Sequence, residues 1–519
     1  MGDVPDLVAA VDRSTDPEIR AEFDRRVRTQ AERIRDDIAS GRLDTGEFAI
    51  GMELEAYAVD PADGRLASIP SAAFDRGGFA KELGVHNLEV NSAATLFDAD
   101  GLAEQADRIA DGVAAAAETL DEEGFAPALD AMWTIPPMEG TDAYLGTVEE
   151  RSGVVVATNM RHHPRYVALD NEILDRSDGT ITVDAPGAHL SYPTILVESL
   201  ATSIQPHLQI PEVEAFPSYF NAALRTTGPI LSLSSNSPFL PADCYDAAAD
   251  PGVIKDTLHE HRIRVFEESI NADAPSDEGK VRFPRDVDDA TDVVDRVVAD
   301  ETYAPVLSDG NADAGTDAGA GSYRATLPEY DHKRGVHWRW VRGVVGGQPV
   351  GTARDGASLR IEYRPLPTQP TVRDTVSLQA LVVGLLRGLI AADHPVLNLP
   401  WTAARDCFYD AVDRGPDAEL AWVTADGDRT ADPQAVYDDL FAHARRGLRD
   451  AGLGDDAVDD YLAPVERRRD GTVPSAWKKD RVRAAVDDGA TLPEAVERMQ
   501  RTYLDHAGGG TVFADWPGA

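Results

Sequence analysis

Two glutamates, Glu53 and Glu55, stand two positions apart in GMELEAYAVD, the segment that begins at Gly51. On a β-strand that spacing puts both carboxylates on one face, about 7 Å apart, which suits them to flank a pair of cations or to hold one each. The same alternation groups Glu89 with Asn87 and Asn91 in HNLEVNSA, His207 with Gln205 and Gln209 in SIQPHLQI, and Glu362 with Arg360 and Arg364 in SLRIEYRPL. The opposite faces carry Met52, Leu54 and Ala56, then Leu88 and Val90, then Ile204, Leu208 and Ile210, then Leu359, Ile361 and Tyr363. Four strands with apolar backs and polar fronts are therefore expected in one sheet. Four carboxylates in one trough would repel one another and raise their pKa values, so cations are implied. Oxygen ligands with a single imidazole favour magnesium or manganese over a structural zinc site. Arg360 and Arg364, beside Glu362, are placed to grip a phosphate. No glycine-rich phosphate loop of the Walker or Rossmann type occurs, so any nucleotide would be held through metal and arginine.

Each signal alone has a plainer reading. Glu53 and Glu55 suit a solvated strand face, His207 a hydrogen-bonded structural histidine, and Arg360, Glu362 and Arg364 a cross-strand ion-pair ladder. Asn236, in SSNSPF, has the type and neighbours of a turn former. The basic run NMRHHPRY, with Arg161, His162, His163 and Arg165, fits either a salt-bridged loop or a place for a substrate carboxylate. His332 and His337, in HKRGVHWRW, read as mainly structural. The coincidence on four strand fronts favours a shared site.

Around these strands the periodicity predicts an amphipathic helix from 16 to 40, packed on the outside of the main domain, and another from 98 to 124 opening after a polar Asp. Residues 219 to 227, followed by Gly228 and Pro229, read as helix then stop, with a strand starting at Ile230. Later helices are expected at 373–393, 434–451, 455–468 and 492–506. This is an α+β layout: an antiparallel sheet backed by helices, its polar front an open trough. The expected organisation is an N-terminal helical extension (1–45), a catalytic sheet domain (46–400) and a helical C-terminal region (401–519) packed on it. A glycine- and acid-rich flexible insert falls at 308–321.

The chain has 519 residues, 91 acidic against 49 basic, and a formal charge of −42, which opposes a nucleic-acid or anionic-membrane partner. Only six of the basic residues are lysine. An acid-rich, lysine-poor surface suits a cytoplasm at very high salt, where repulsion is screened over a few ångströms. Two cysteines, Cys244 and Cys407, fit a reducing cytoplasm. The N-terminus shows no secretory signal, and the apolar run 376–390 is shorter than the ~20 residues of a membrane span.

GMELEAYAVD, HNLEVNSA, ESLATSIQPHLQI, FNAALRTTGPILSLSSNSPF, RIEYRPLPTQPT, PWTAAR and RRRDGTVPSAW, in that order, resemble the glutamate–cysteine ligase type 2 family, the carboxylate–amine ligases, over roughly residues 46 to 505. The resemblance implies a glutamine-synthetase-like fold whose antiparallel sheet forms a funnel for ATP and two or three divalent ions. It implies metal ligation by Glu53, Glu55, Glu89, His207 and Glu362, and phosphate contacts from Arg364 and Arg360. Asn91, Arg161 and Asn236 are taken from the sequence as candidate substrate contacts. The implied substrates are glutamate, ATP and an amine such as cysteine, joined through an acyl phosphate to a γ-glutamyl amide. A homo-oligomer is compatible with this. The alternatives are a different amine acceptor, a phosphotransferase of the same fold, and a non-catalytic paralogue that binds nucleotide or metal.

Overall fold

The computed structural model describes residues 4–271, 278–308 and 322–519; apart from Ser308, the segment expected as a flexible insert lies outside the described residues. The main sheet has eight strands: β1 (Ala49–Val59), β2 (Ala80–Lys81), β3 (Asn87–Leu96), β4 (Ala126–Ala128), β5 (Ser203–Gln209), β6 (Val341–Val345), β7 (Leu359–Tyr363) and β8 (Leu366–Pro367). Their order is β6–β7–β5–β1–β3–β2, with β8 also pairing with β5 and β4 with β1, and every pairing is antiparallel. The register decides which side chains share a face. Glu53 lies opposite Asn91 and Gln205, Glu55 opposite Glu89, His207 opposite Gly51 and Glu362, and Glu362 opposite Arg342. Directly opposed residues point the same way, so one front face carries the four predicted motifs. Leu54, Val90, Ile204, Leu208 and Ile361 occupy the back and are buried.

Among the helices of the described residues are α1 (Val4–Thr15), α2 (Pro17–Ala39), α3 (Ala99–Asp121), α4 (Phe216–Ser234), α5 (Val372–Ala391), α6 (Trp401–Arg414), α7 (Pro433–Asp450), α8 (Asp455–Glu466), α9 (Pro474–Asp487) and α10 (Leu492–Gly508). The Asp16 carboxylate caps α2 by accepting from the Glu18 and Ile19 amides, and Phe23, Val27, Ala31 and Ile34 are its buried stripe. That stripe packs on the helices Thr291–Ala299 and Pro328–Gly335. Asp98 caps α3 in the same way, and Leu102, Ile109 and Leu120 seal the back of β1 and β3.

The expected stop at Gly228-Pro229 does not occur: α4 continues through Pro229 to Ser234, and no strand begins at Ile230. Nearly the whole helix is buried, so it lacks the apolar–polar alternation that marks a surface helix. Gly228 serves packing here. A Cβ at that position would lie 2.4 Å from Cys407 Sγ and 2.9 Å from the Cys407 carbonyl carbon, on α6. Gly228→Ala is expected to destabilise the fold by about 1–3 kcal/mol through overpacking, read as a lower urea midpoint. The gain of ~0.5–1 kcal/mol normal for Gly to Ala inside a helix would show that the crossing is loose. A second close crossing joins α5 to α7: a Cβ on Gly388 would meet the His443 carbonyl at 1.9 Å, and one on Gly447 the Gly384 carbonyl at 1.9 Å. Although α5 is long and apolar enough to cross a membrane, 83% of its most apolar window is buried inside the fold. On the sheet side Gln379 of α5 donates to the Gly51 carbonyl at 3.0 Å, where the β1–β3 register shifts between Ile50 and Met52.

Candidate active site

At the centre of the front face His207 Nε2 lies 3.5 Å from Glu53 Oε1 and 3.5 Å from Glu362 Oε1. One ligand atom from each residue falls within 4.8 Å of the others. His207 Nε2 is buried and has no hydrogen-bond partner. Three different strands, β1, β5 and β7, thus aim their side chains at one point. Glu362 is fully enclosed and is clasped by the Arg342 guanidinium from β6, with Arg364 at 3.5 Å. Burial works to raise its pKa, but Arg342, the His207 contact and Arg364 together hold Glu362 well below the usual carboxylate range.

Beside this cluster Glu55 accepts from the Ser203 amide at 2.7 Å and from Gln205 Nε2 at 3.1 Å. Glu89, opposite it, accepts from Asn91 Nδ2 at 2.6 Å. Arg364 donates to Gln205 Oε1 at 2.5 Å, and the Nε atoms of both Arg360 and Arg364 are buried without a partner. Arg360 lines a cavity of about 360 Å³ with Glu53, Asn91, His207 and Gln209. Arg364 lines a smaller one, of about 30 Å³, with Glu55, Glu198 and Arg262.

Two glutamates that no strand pattern signalled join the cluster. Glu82 precedes β3 on a loop, and Glu198 lies on the 3₁₀ turn Ile195–Leu200 ahead of β5. Burial first, and then the Glu55 charge, push each of them up to about 8. Glu89 is raised by burial and by Glu53, and Glu55 by burial. Arg342 was also not singled out, although WVRGVV alternates and ends one edge of the sheet. Of the other residues read from sequence, Asn91 lies at the trough beside Glu89. Arg161 instead stacks on Phe74 at 4.0 Å and donates to the Asn87 and Val85 carbonyls. Asn236 is wholly buried, donating to the Thr368 carbonyl and Tyr503 hydroxyl, while its Oδ1 is unpartnered. Neither contributes to the walls of the two cavities.

The raised carboxylates give a signed pH dependence. Unfolded, Glu82 and Glu198 titrate near 4.5, so the stability that comes from their neutral folded forms is complete below that pH and is lost as pH rises through about 8. In EDTA the melting temperature is expected to fall across pH 4.5–8, and excess Mg²⁺ to flatten the fall. A flat profile in EDTA would mean that burial and the Glu55 charge do not raise these two carboxyls.

No curated protein matches the chain by sequence. Residues 49–502 match the model of the glutamate–cysteine ligase family 2. Among solved structures, the glutamate–cysteine ligase from Francisella tularensis in complex with AMP is similar in fold, with a TM-score of 0.52 at 11% identity over 91% of each chain. A bifunctional glutathione synthetase from Pasteurella multocida aligns at a TM-score of 0.47 and 14% identity, over 92% of this chain and 55% of that one. Since the matched span holds every strand of the sheet and every side chain of the trough, the chain belongs to glutamate–cysteine ligase family 2 and is an ATP-dependent ligase.

Proposed function

We propose that this ligase joins the γ-carboxylate of glutamate to the amino group of cysteine, making γ-glutamylcysteine at the expense of ATP. The observation that carries the reading is the convergence of Glu53, His207 and Glu362, with an orphaned imidazole nitrogen between two carboxylates and arginines on either side. That donor set fits Mg²⁺ or Mn²⁺, with Glu55 and Glu89 as the ligands to further cations. When bound, the cations offset the charge of the triphosphate and polarise its phosphoryl oxygens.

The side chains supply alignment. Arg360 and Arg364, each with a buried unpartnered Nε, grip the phosphates. Arg342 fixes the Glu362 carboxylate, while the Ser203 amide and Gln205 fix that of Glu55. A γ-carboxylate oxygen of glutamate attacks the terminal phosphorus of ATP and ADP departs, leaving an acyl phosphate. The neutral amine then attacks the acyl carbon, phosphate leaves with the bonding electron pair, and the amine proton passes to solvent. No side-chain nucleophile is needed, because positioning and charge neutralisation supply the rate. The residues 46–400 form the catalytic part in this reading, with 401–519 packed on it and 1–45 as an extension. Its substrates and its two unpaired cysteines suit a reducing, salt-rich cytoplasm.

Phosphate release from ATP and glutamate, measured across amino acids and polyamines in high-potassium buffer, tests the acceptor. Cysteine is expected to give the highest rate and a γ-glutamylcysteine product by mass spectrometry. Turnover with another amine and none with cysteine would overturn the choice of acceptor but not the ligase chemistry. His207→Ala is expected to reduce the rate less than loss of a carboxylate, since oxygen ligands remain, and Mn²⁺ titration of the rate checks this.

A further inference from the structure

Between the carboxylates and the arginines of the trough stands one neutral side chain, Gln205, on β5 directly opposite Glu53 of β1. It is buried, and it lines neither the cavity that holds Arg360 nor the smaller one that holds Arg364. Its polar atoms are spent on the protein. Gln205 Oε1 accepts from Arg364 Nη1 at 2.5 Å, and Gln205 Nε2 donates to Glu55 Oε1 at 3.1 Å and to Ser203 Oγ at 3.3 Å.

Only one orientation of the amide suits these neighbours. Turned over, it would set an NH₂ group against the guanidinium N–H and a carbonyl oxygen against the carboxylate. An ionised glutamate at this position would oppose Glu55 and a lysine would oppose Arg364, whereas an amide meets an anion at one end and a cation at the other. Both contacts are charge-assisted, and hydrogen bonds in a chain polarise one another where water is excluded. Among the described residues the other acceptor for the Arg364 guanidinium is Glu362 Oε2, at 3.5 Å, and Arg364 Nε is buried without a partner. Glu55 also accepts from the Ser203 amide. One side chain therefore sets both the place of Arg364 and the direction of the Glu55 carboxylate.

Given Glu55 as ligand to a cation and Arg364 as contact to phosphate, as proposed above, we infer that Gln205 is a positioning residue of the ligase reaction. It couples cation binding at Glu55 to phosphate binding at Arg364 without touching either ligand.

Two binding measurements on the full chain test this role: Mn²⁺ without nucleotide, followed by electron spin resonance, and a non-hydrolysable ATP analogue at saturating Mg²⁺, followed by calorimetry. Gln205→Met, which keeps the length and removes both bonds, is expected to weaken each at least about tenfold. Gln205→Asn, which keeps the amide but is one methylene too short to span both partners, is expected to do the same. Added to Glu55→Gln, Gln205→Met should cost no further Mn²⁺ affinity, and added to Arg364→Met no further affinity for the analogue, because each path has already been cut. A side chain that merely packs the sheet would give additive losses instead. Additive losses, or either affinity unchanged in both Gln205 variants, overturn the role of Gln205 and leave the trough standing. Failure of the unaltered chain to bind Mn²⁺ or the analogue overturns the trough itself, and the role of Gln205 with it.

Discussion

Replacing Glu53 by glutamine is expected to lower metal-dependent ATP turnover about a thousandfold, equivalent to roughly 4 kcal/mol of transition-state stabilisation, with no loss of melting temperature in metal-free buffer. The substitution keeps the shape and removes one charge from a crowded trough. Its ion-pair contact is with His207 at 3.5 Å, so no arginine loses a directly bonded carboxylate. Glu362→Gln is expected to abolish turnover just as fully but with a different stability signature. It leaves Arg342 enclosed beside a neutral amide, and breaking a buried pair from one side costs about 3–5 kcal/mol. Turnover and thermal melting measured on both variants separate charge lost at the site from charge lost in the fold. Undiminished turnover in Glu53→Gln would defeat the assignment of the trough.

An equally large effect on stability, away from the site, is expected from Lys478→Met, about 3–5 kcal/mol in urea denaturation. Lys478, on α9, is buried and donates to Asp130 at 2.5 Å and to the Asn236 carbonyl at 2.7 Å. Asp130 also accepts from Gln500 of α10 at 2.7 Å, so one carboxylate joins two C-terminal helices to the segment after β4. Removing the ammonium strands that carboxylate in the interior. A second change, Asp130→Asn, should recover part of the loss, because a neutral amide costs less to bury than an unpaired charge. A loss below about 1 kcal/mol in the single variant would show that water reaches the pair.

Much of the sheet was legible because a strand's period of two is so strict that a register error would have turned Glu53, Glu89, His207 and Glu362 away from one another. The pairing of β1 with β3 and with β5, and of β5 with β7, keeps all four on one side. The α2 and α3 helices were legible because each is half exposed and capped by aspartate. The α4 helix was not, since a segment buried on all sides carries no periodic contrast, and its glycine and proline answer to a neighbouring helix. The α6 and α9 helices were missed as well. Within the site, Glu82 and Glu198 come from loop and turn, where no repeat constrains direction. In a chain with 91 acids nothing marks them out until the fold brings them to Glu55. Asn236, read as a turn former or substrate contact, is used to knit Thr368 and Tyr503 together.

The α5 helix behaves as a keel. Gln379 bolts it to the floor beneath Glu53, and the Gly384, Gly388 and Gly447 contact seats it on α7 with backbone touching backbone. The Gln379 side chain is buried and its amide is tied to the Gly51 carbonyl, so amide protons around Gly51 and around Gly447 should exchange with solvent in a single slow event. A wedge driven into the distant helical crossing would then be felt at the floor of the trough.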